Sequence, residues 1–318
     1  MNSAPPAQAG ISTAARAALI AALFLSSTHL WSDEFVVDLE ADHESRAGHG
    51  YWSASYQYIT VDGFEATTGK IDIGTVETHS MFFDVDYHLT DRLTVSAGIP
   101  YVRKRYQGAF PHDPLTLDPP RPYIENVDQG DWNTDFADFH FGMKYLAKNG
   151  PLKIEPFIFY GVPSNDYPFF GHAAVGQQLW KIDVGSSFSY FPGLSNAYYR
   201  ADIAYVFVEE TLGTSIDHWK FFGEAGYQFS ANWTGRLFFL LKDGKGLNFP
   251  DDFPTPRNTE HWYQHDRQVK HNYLNVGIGL DWNHESGYQL SGNFMVQPWQ
   301  EQVHTMEYAF TIGISKGF

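Results

Sequence analysis

From about residue 50 onward, apolar residues alternate with polar or small ones in segments of roughly 10 to 14 residues. In one of them Ile182, Val184 and Phe188 alternate with Lys181 and Asp183. Because successive side chains of a β-strand point to opposite faces, this period of two predicts strands with one apolar and one polar face. The segments that fit are 50–62, 73–88, 92–106, 133–147, 152–162, 178–190, 197–208, 217–229, 232–243, 269–282, 287–297 and 303–318.

The connections between these segments are alternately short and long. Asn149 and Gly150 suit a type I′ turn, in which both central residues have positive φ. The long connections 107–132 and 244–268 are rich in Pro, Asp and aromatic residues. Short turns at one end and long loops at the other are typical of outer-membrane barrels. The sequence therefore predicts an all-β chain, a transmembrane antiparallel β-barrel of about 12 strands with short periplasmic turns and long extracellular loops. The short turns are expected at 89–92, 148–150, 192–196, 230–231 and 283–286.

A soluble β-sandwich or lipocalin-like barrel is the alternative, with the apolar faces turned inward. Twelve faces crowded with large side chains would need more core volume than such a fold encloses, whereas outward faces would simply meet lipid. Outer-membrane lipid is therefore the expected surroundings of the barrel, and the bacterial outer membrane its expected location.

Composition agrees with this interpretation. Of 318 residues, 43% are hydrophobic and 17% aromatic, too many for a disordered chain. The mean hydropathy is nevertheless −0.34, and no apolar run reaches the length of a transmembrane helix. The chain has no Cys, which excludes disulfides and thiolate sites. The net charge of −16 and the scattered basic residues argue against nucleic acid as a partner.

The N-terminus has the pattern of an export signal. Arg16 precedes the apolar stretch 17–25, and small polar residues follow at 26–28. This predicts a signal peptide over 1–32, cleaved after Thr28 or Ser32. The rest of the chain is expected to divide in two: 33–49, which either plugs the lumen or is a mobile lead-in, and the barrel, 50–318.

The final segment ends in an aromatic residue. Tyr308, Phe310, Ile312 and Ile314 share one parity with the terminal Phe318. A last amphipathic strand closed by Phe resembles the signal that the barrel-assembly machinery recognises. The resemblance implies that machinery as a partner, bound through Phe318.

A diffuse resemblance to a known family extends over most of 80–318. The strand–turn–strand sequence 87–101 looks like that of the outer-membrane family named for the MetA pathway of phenol degradation, and 130–138, 161–164 and 176–185 contain further similar pieces. The family consists of transporter-like barrels often encoded near genes of aromatic catabolism. The resemblance implies an uptake channel for small molecules, aromatic or otherwise hydrophobic ones among them.

Polar side chains on the inward parity are the candidate lining of the lumen. They either face an open aqueous channel or pair across strands to brace and fill the wall. Acidic residues outnumber basic ones among them, which predicts a mild cation preference if the lumen conducts. The candidates are Asp84, Asp86, His88, Asp138, His140, Lys144, Lys181, Asp183, Arg200, Asp202, Lys220, Glu224, Arg236, Asn275, Asp281, Asn293 and Glu307.

Loop 244–268 supplies aromatic candidates for ligand capture, Phe249, Phe253, Trp262 and Tyr263. They either stack on an apolar ligand at the barrel mouth or pack against loop 107–132. His261 and His265 of this loop lack the helical setting and the Glu of a His-Glu-x-x-His zinc motif, so no metal site is predicted there.

The predicted function is passive diffusion of small molecules through an outer-membrane channel. One alternative is a non-conducting barrel whose loops serve surface binding or adhesion. A lipid-modifying enzyme is less favoured, because the His-x-Ser pairs at 43–45 and 284–286 lie before the barrel and in a predicted turn. We therefore expect neither a catalytic residue nor a cofactor.

Overall fold

The computed structural model describes residues 45–108, 112–256 and 258–318, together with the backbone of two short strands nearer the N-terminus. These two strands, Leu19–Ala21 (β1) and Phe35–Val37 (β2), pair antiparallel. Apart from them, the predicted signal peptide and residues 33–44 of the lead-in lie outside the described residues.

Twelve strands form the wall of a closed antiparallel barrel, in which each pairs with its neighbour in sequence and the last pairs with the first. This confirms the predicted fold class. In chain order the remaining strands are Gly50–Ala66 (β3), Gly69–Ile71 (β4), Thr75–His88 (β5), Leu93–Gln107 (β6), Trp132–Phe136 (β7), Asp138–Tyr145 (β8), Leu152–Pro163 (β9), Lys181–Tyr190 (β10), Ala197–Val208 (β11), His218–Gln228 (β12), Trp233–Gly244 (β13), Asn272–Asn283 (β14), Tyr288–Glu301 (β15) and Val303–Gly317 (β16).

The two shortest of these strands, β4 and β7, do not add to the wall count. β4 pairs with the last residues of β3. β7 and β8 pair with successive parts of the same strand, β6. The ladder passes from β8 to β7 at Ala137, whose N–H donates to the carbonyl of Pro100 at 2.9 Å. Pro100 has no N–H to return, so the pairing is interrupted at this position.

In the part of the chain that the structure describes, helical structure is confined to the long loops. One turn of α-helix, Glu260–Tyr263 (α1), and two 3-10 turns, Pro114–Thr116 and His265–Arg267, are present. Among the described residues, no helix has the length and apolar character needed to cross a membrane.

The two faces of the wall differ as the alternation predicts. Leu237 is 64% exposed, whereas its neighbours Arg236 and Phe238 are 3% and 6% exposed. The same contrast runs around the wall, where Phe141 and Ile312 point outward at 48% and 57% exposure. Large apolar side chains therefore cover the outside of a closed barrel, the surface that lipid requires. The architecture is that of bacterial outer-membrane barrels, with the short turns at the periplasmic end.

The inside of the barrel changes character along its axis. Buried charged residues occur in both halves, and an apolar cluster that includes Leu240, Tyr273 and Met306 lies toward the extracellular end. Segment 164–180, between β9 and β10, contacts this upper interior. We call it the inner loop.

Candidate functional site

Arg236 is the centre of a buried charge network in the periplasmic half of the lumen. Its Nε lies 2.6 Å from Oδ2 of Asp281, and its Nη1 donates to Oε2 of Glu224 at 3.1 Å. Nη2 reaches the amide oxygen of Asn293 at 2.8 Å. The hydroxyl of Tyr198 donates to the other oxygen of Glu224 at 2.7 Å. These side chains come from five consecutive strands and meet because all lie on the inward parity.

A second group of charges lies on β8, β10 and β12. Lys220 donates to Asp183 at 3.0 Å, and Nζ of Lys181 lies 3.9 Å from Asp138. All four residues are at most 9% exposed. Charges removed from water in this way need partners, and here each pair joins residues on different strands.

A third group joins β5 to β8. Nε2 of His140 lies 3.0 Å from Oδ1 of Asp84, and Lys144 donates to Asp86 at 3.2 Å. Gly98, on the strand between them, leaves the space for the first pair, because a Cβ at this position would overlap Asp84 and His140. Cross-strand pairing therefore extends around much of the inner wall.

Sixteen of the predicted lumen residues face the interior. Besides the network members, Arg200 pairs with Asp202 on the same strand at 2.6 Å, His88 contacts Thr94 at 2.7 Å, and Asn275 is buried. The sixteen are Asp84, Asp86, His88, Asp138, His140, Lys144, Lys181, Asp183, Arg200, Asp202, Lys220, Glu224, Arg236, Asn275, Asp281 and Asn293.

Glu307 is the exception. Met306 pairs with Val61 and Tyr308 with Thr60, so Glu307 is the extra residue of a bulge. It is exposed, and its carboxylate accepts a hydrogen bond from the Thr60 hydroxyl at 3.3 Å. The expectation that Glu307 lines the lumen assumed unbroken alternation, which a bulge interrupts.

Two inward-facing lysines are not among the predicted lumen residues. Lys242 is 5% exposed and lies near Lys220, while Lys104 donates to the carbonyl of Ala174 at 2.9 Å. Each lies at an even-numbered position, as do the inward-facing residues of its strand. The alternation along the sequence therefore identifies both as inward-facing. With these lysines inside and Glu307 outside, acidic and basic residues are equal in number among these side chains, so the acidic excess behind the expected cation preference disappears.

The inner loop occupies the mouth of the barrel. Tyr167, which is 1% exposed, donates a hydrogen bond to Asp138 on the wall. Val175 packs against the inward-facing Val102, and Ala173 packs in a cluster with Val76. These contacts place the inner loop inside the wall rather than above it.

A cavity of about 130 Å³ lies between the inner loop and the wall. Its lining includes Lys104, Phe169, His172, Asp266 and His304. A narrower cavity is lined by the lysines on β10, β12 and β13, and it shares Gln177 and Tyr273 with the first. The narrower cavity has a volume of about 10 Å³ and lies beside the lumen charges of Lys181, Asp183 and Lys220.

Histidines are concentrated around this mouth. Nδ1 of His112 lies 2.7 Å from Oδ2 of Asp128, and the rings of His112 and His265 stack at 4.9 Å. Nδ1 of His172 lies 3.0 Å from Nε2 of His304. Burial lowers the pKa of His172 well below its ordinary value, because it disfavours the charged imidazolium. Burial opposes ionisation of Asp128, but the hydrogen bond from His112 and nearby imidazoles hold its pKa below the usual range.

The aromatic residues of loop 244–268 pack against one another and against other loops. Phe253 is 6% exposed beside Phe249, whose ring also contacts Trp262 at 5.9 Å. Tyr263 contacts Phe169 of the inner loop at 5.0 Å and lies under the guanidinium of Arg121 at 4.0 Å. The rings thus connect loop 244–268 to both other long loops.

At the periplasmic end, the last residues of the lead-in lie along the turn between β5 and β6. Oδ1 of Asp91 accepts hydrogen bonds from the Ser45 hydroxyl at 2.7 Å and from the N–H groups of Arg46 and Ala47 at 2.8 and 3.2 Å. Residues 45–49 therefore sit at the rim of the barrel, and the plug hypothesis rests on 33–44.

The fold is similar to that of solved outer-membrane barrels. The COG4313 outer membrane channel from Pseudomonas putida F1 has a TM-score of 0.64 and 13% identity over 87% of this chain and 98% of that one. The CymD monoaromatic hydrocarbon channel has a TM-score of 0.46 and 11% identity over 86% of this chain and 89% of that one. No protein-family model matches the sequence, and no curated protein sequence matches it. At 13% identity, the likeness to the COG4313 channel establishes the fold alone.

Proposed function

We propose that the chain is an outer-membrane channel for the passive uptake of small molecules, aromatic and other hydrophobic ones among them. The observation that carries the proposal is the cavity of about 130 Å³ at the barrel mouth, which shares Gln177 and Tyr273 with the narrower cavity beside the lumen charges. The first cavity combines Phe169 and Tyr273 with Lys104 and histidines. Aromatic walls with a few polar groups suit a small ring that carries a hydroxyl or carboxylate.

The resemblance of 87–101 to the MetA phenol-degradation family supports the same substrate class. The proposal also includes two partners, the lipid around the outward apolar face and the barrel-assembly machinery at Phe318. Uptake would need fluctuation of the inner loop, while strand pairing around the closed barrel holds the wall.

Two measurements on purified protein test the channel. In planar bilayers we expect discrete conductance steps, and in liposomes we expect faster entry of phenol and benzoate than in protein-free vesicles. A variant in which a short Gly-Ser linker replaces 166–178 should conduct more than the wild type, because the inner loop fills the mouth. If neither the wild type nor this variant conducts and entry is not accelerated, the proposal is wrong.

The second candidate is a non-conducting barrel whose loops bind at the cell surface. The observation in its favour is the close packing of the inner loop, in which Ala173 and Leu179 are fully buried. Conductance in the shortened variant but none in the wild type, together with no solute entry, would favour this candidate.

A further inference from the structure

Three side chains from two loops place metal-binding atoms close together at the barrel mouth. His112 and Asp128 come from the loop between β6 and β7, and His172 comes from the inner loop. One ligand atom of each lies within 4.8 Å of the others. His112 and Asp128 are 6% and 4% exposed, so bulk water does not surround the group.

Another histidine lies next to His172. Nε2 of His304, at the start of β16, lies 3.0 Å from Nδ1 of His172. Two nitrogens bound to one tetrahedral ion at about 2.0 Å lie about 3.3 Å apart. The observed separation is close to that value, and the two rings would turn from facing each other to direct both lone pairs at an ion.

The carboxylate of Asp128 is held in place by the backbone. Its Oδ1 accepts the N–H of Ala173 at 2.9 Å, and its Oδ2 accepts the N–H of His172 at 2.9 Å. Fixed ligands reduce the ordering cost of binding an ion. Each oxygen of an ionised carboxylate has more than one lone pair, so Asp128 can keep these bonds while it binds a cation.

We propose that His112, Asp128, His172 and His304 bind a divalent transition-metal ion of the Zn²⁺ class. Imidazole and carboxylate are the donors that suit zinc, whereas calcium and magnesium prefer all-oxygen sites. The adjoining cavity of about 130 Å³, which His172 and His304 line, gives the ion access and leaves room for water.

Such an ion would join three separate parts of the chain. It would link the loop before β7, the inner loop and the first residues of β16, and so hold the inner loop in the barrel mouth. The site is independent of the proposed transport, because the ion would bind whether or not the lumen conducts.

Calorimetric titration of ZnCl₂ into the full chain, purified in detergent without a polyhistidine tag and stripped with EDTA, tests the site. We expect one ion per chain, and no binding of MgCl₂ under the same conditions. The double variant His112→Gln/His172→Gln should weaken zinc binding by at least about 100-fold. Loss of a residue that only hydrogen-bonds to a metal ligand already lowers metal affinity by about 10- to 100-fold. His284→Gln, in an exposed periplasmic turn, is the matched control and should bind as the wild type does.

The mobility of unheated protein on SDS gels checks that each variant is folded. If the double variant does not fold, His304→Gln replaces it, with an expected loss of about 10-fold or more. Cobalt provides a second measurement, because a tetrahedral Co²⁺ site with nitrogen ligands absorbs strongly in the visible range. Wild-type protein that binds no zinc, or folded variants that bind it unchanged, would overturn the proposal.

Discussion

Arg236 and Asp281 form a two-point ion pair between neighbouring strands inside the barrel, with Nε to Oδ2 at 2.6 Å and Nη2 to Oδ1 at 2.8 Å. The side chain of Arg236 is fully buried, and that of Asp281 is 1% exposed. Arg236 also contacts Glu224, so one guanidinium pairs with two buried carboxylates. This arrangement agrees with the interpretation that paired charges brace the wall.

Replacement of Arg236 by Met would leave both carboxylates buried without their cation. We expect Arg236→Met to lower the free energy of unfolding by about 3–5 kcal/mol, the usual cost of breaking a buried ion pair from one side. Urea unfolding of the refolded barrel in lipid vesicles measures this change. Lys70→Ala, which removes an exposed pair with Asp62 at 2.8 Å, should cost about 1 kcal/mol or less.

Tyr167 ties the inner loop to the wall. It donates to Asp138 and accepts the N–H of Gln178 at 2.9 Å. Tyr167→Phe removes the hydroxyl without a change in ring packing, at a cost of about 1–3 kcal/mol. We expect a higher mean conductance and more current noise, because the inner loop leaves the mouth more often. Tyr123→Phe, at a position that is 80% exposed, should leave both quantities unchanged.

Lys242 adds positive charge beside Lys220 near the narrower cavity. Removing this charge lowers the electrostatic barrier for cations at that level. We expect Lys242→Gln to move the reversal potential in a KCl gradient toward that of a more cation-selective channel. Lys316 faces outward from β16 and lies over the ring of Tyr288, so Lys316→Gln should leave the reversal potential unchanged. An equal shift in both variants would contradict a role for lumen charge.

Asp91 holds the end of the lead-in through three hydrogen bonds. The Ser45 hydroxyl and the N–H groups of Ala47 and Arg46 stabilise the ionised carboxylate and keep the pKa of Asp91 below its ordinary value. The contacts are therefore complete at neutral pH and are lost only as the pH falls through that lowered pKa.

We accordingly expect Asp91→Ala to speed amide hydrogen exchange at Arg46 and Ala47 at pH 7, measured by mass spectrometry of the peptide that contains them. Asp252→Ala, in an extracellular loop, is the control and should leave this peptide unchanged. If exchange at 45–47 is as slow in Asp91→Ala as in the wild type, other contacts hold the lead-in.

The terminal Phe318 closes the β3–β16 seam through its backbone, with reciprocal hydrogen bonds to Gly50 of 2.9 Å each. Its side chain is 56% exposed and therefore available to another protein. We expect Phe318→Ala to reduce the amount of folded barrel in cells, while refolding of the purified chain into detergent stays near wild type. A similar loss in both assays would indicate a structural role and not recognition by the assembly machinery.

Strand number and wall topology were predictable from the sequence because both depend on local signals. Alternation needs only neighbouring residues, and the short turns are marked by their length and composition. The sixteen inward-facing residues follow from the same parity. The bulge at Glu307 was not predictable, because it arises from the register between β16 and β3, which are far apart in sequence.

The sequence by itself determined that this chain is a two-faced barrel with an apolar exterior, a polar lumen and long loops at one end. Only the tertiary structure decided that the inner loop enters the mouth, that Lys104 meets Ala174, and that His112 and His172 converge near Asp128. Loop residues have no period, and their contacts depend on packing between segments distant in sequence. For that reason the wall could be derived residue by residue, whereas the contents of the mouth required the folded chain.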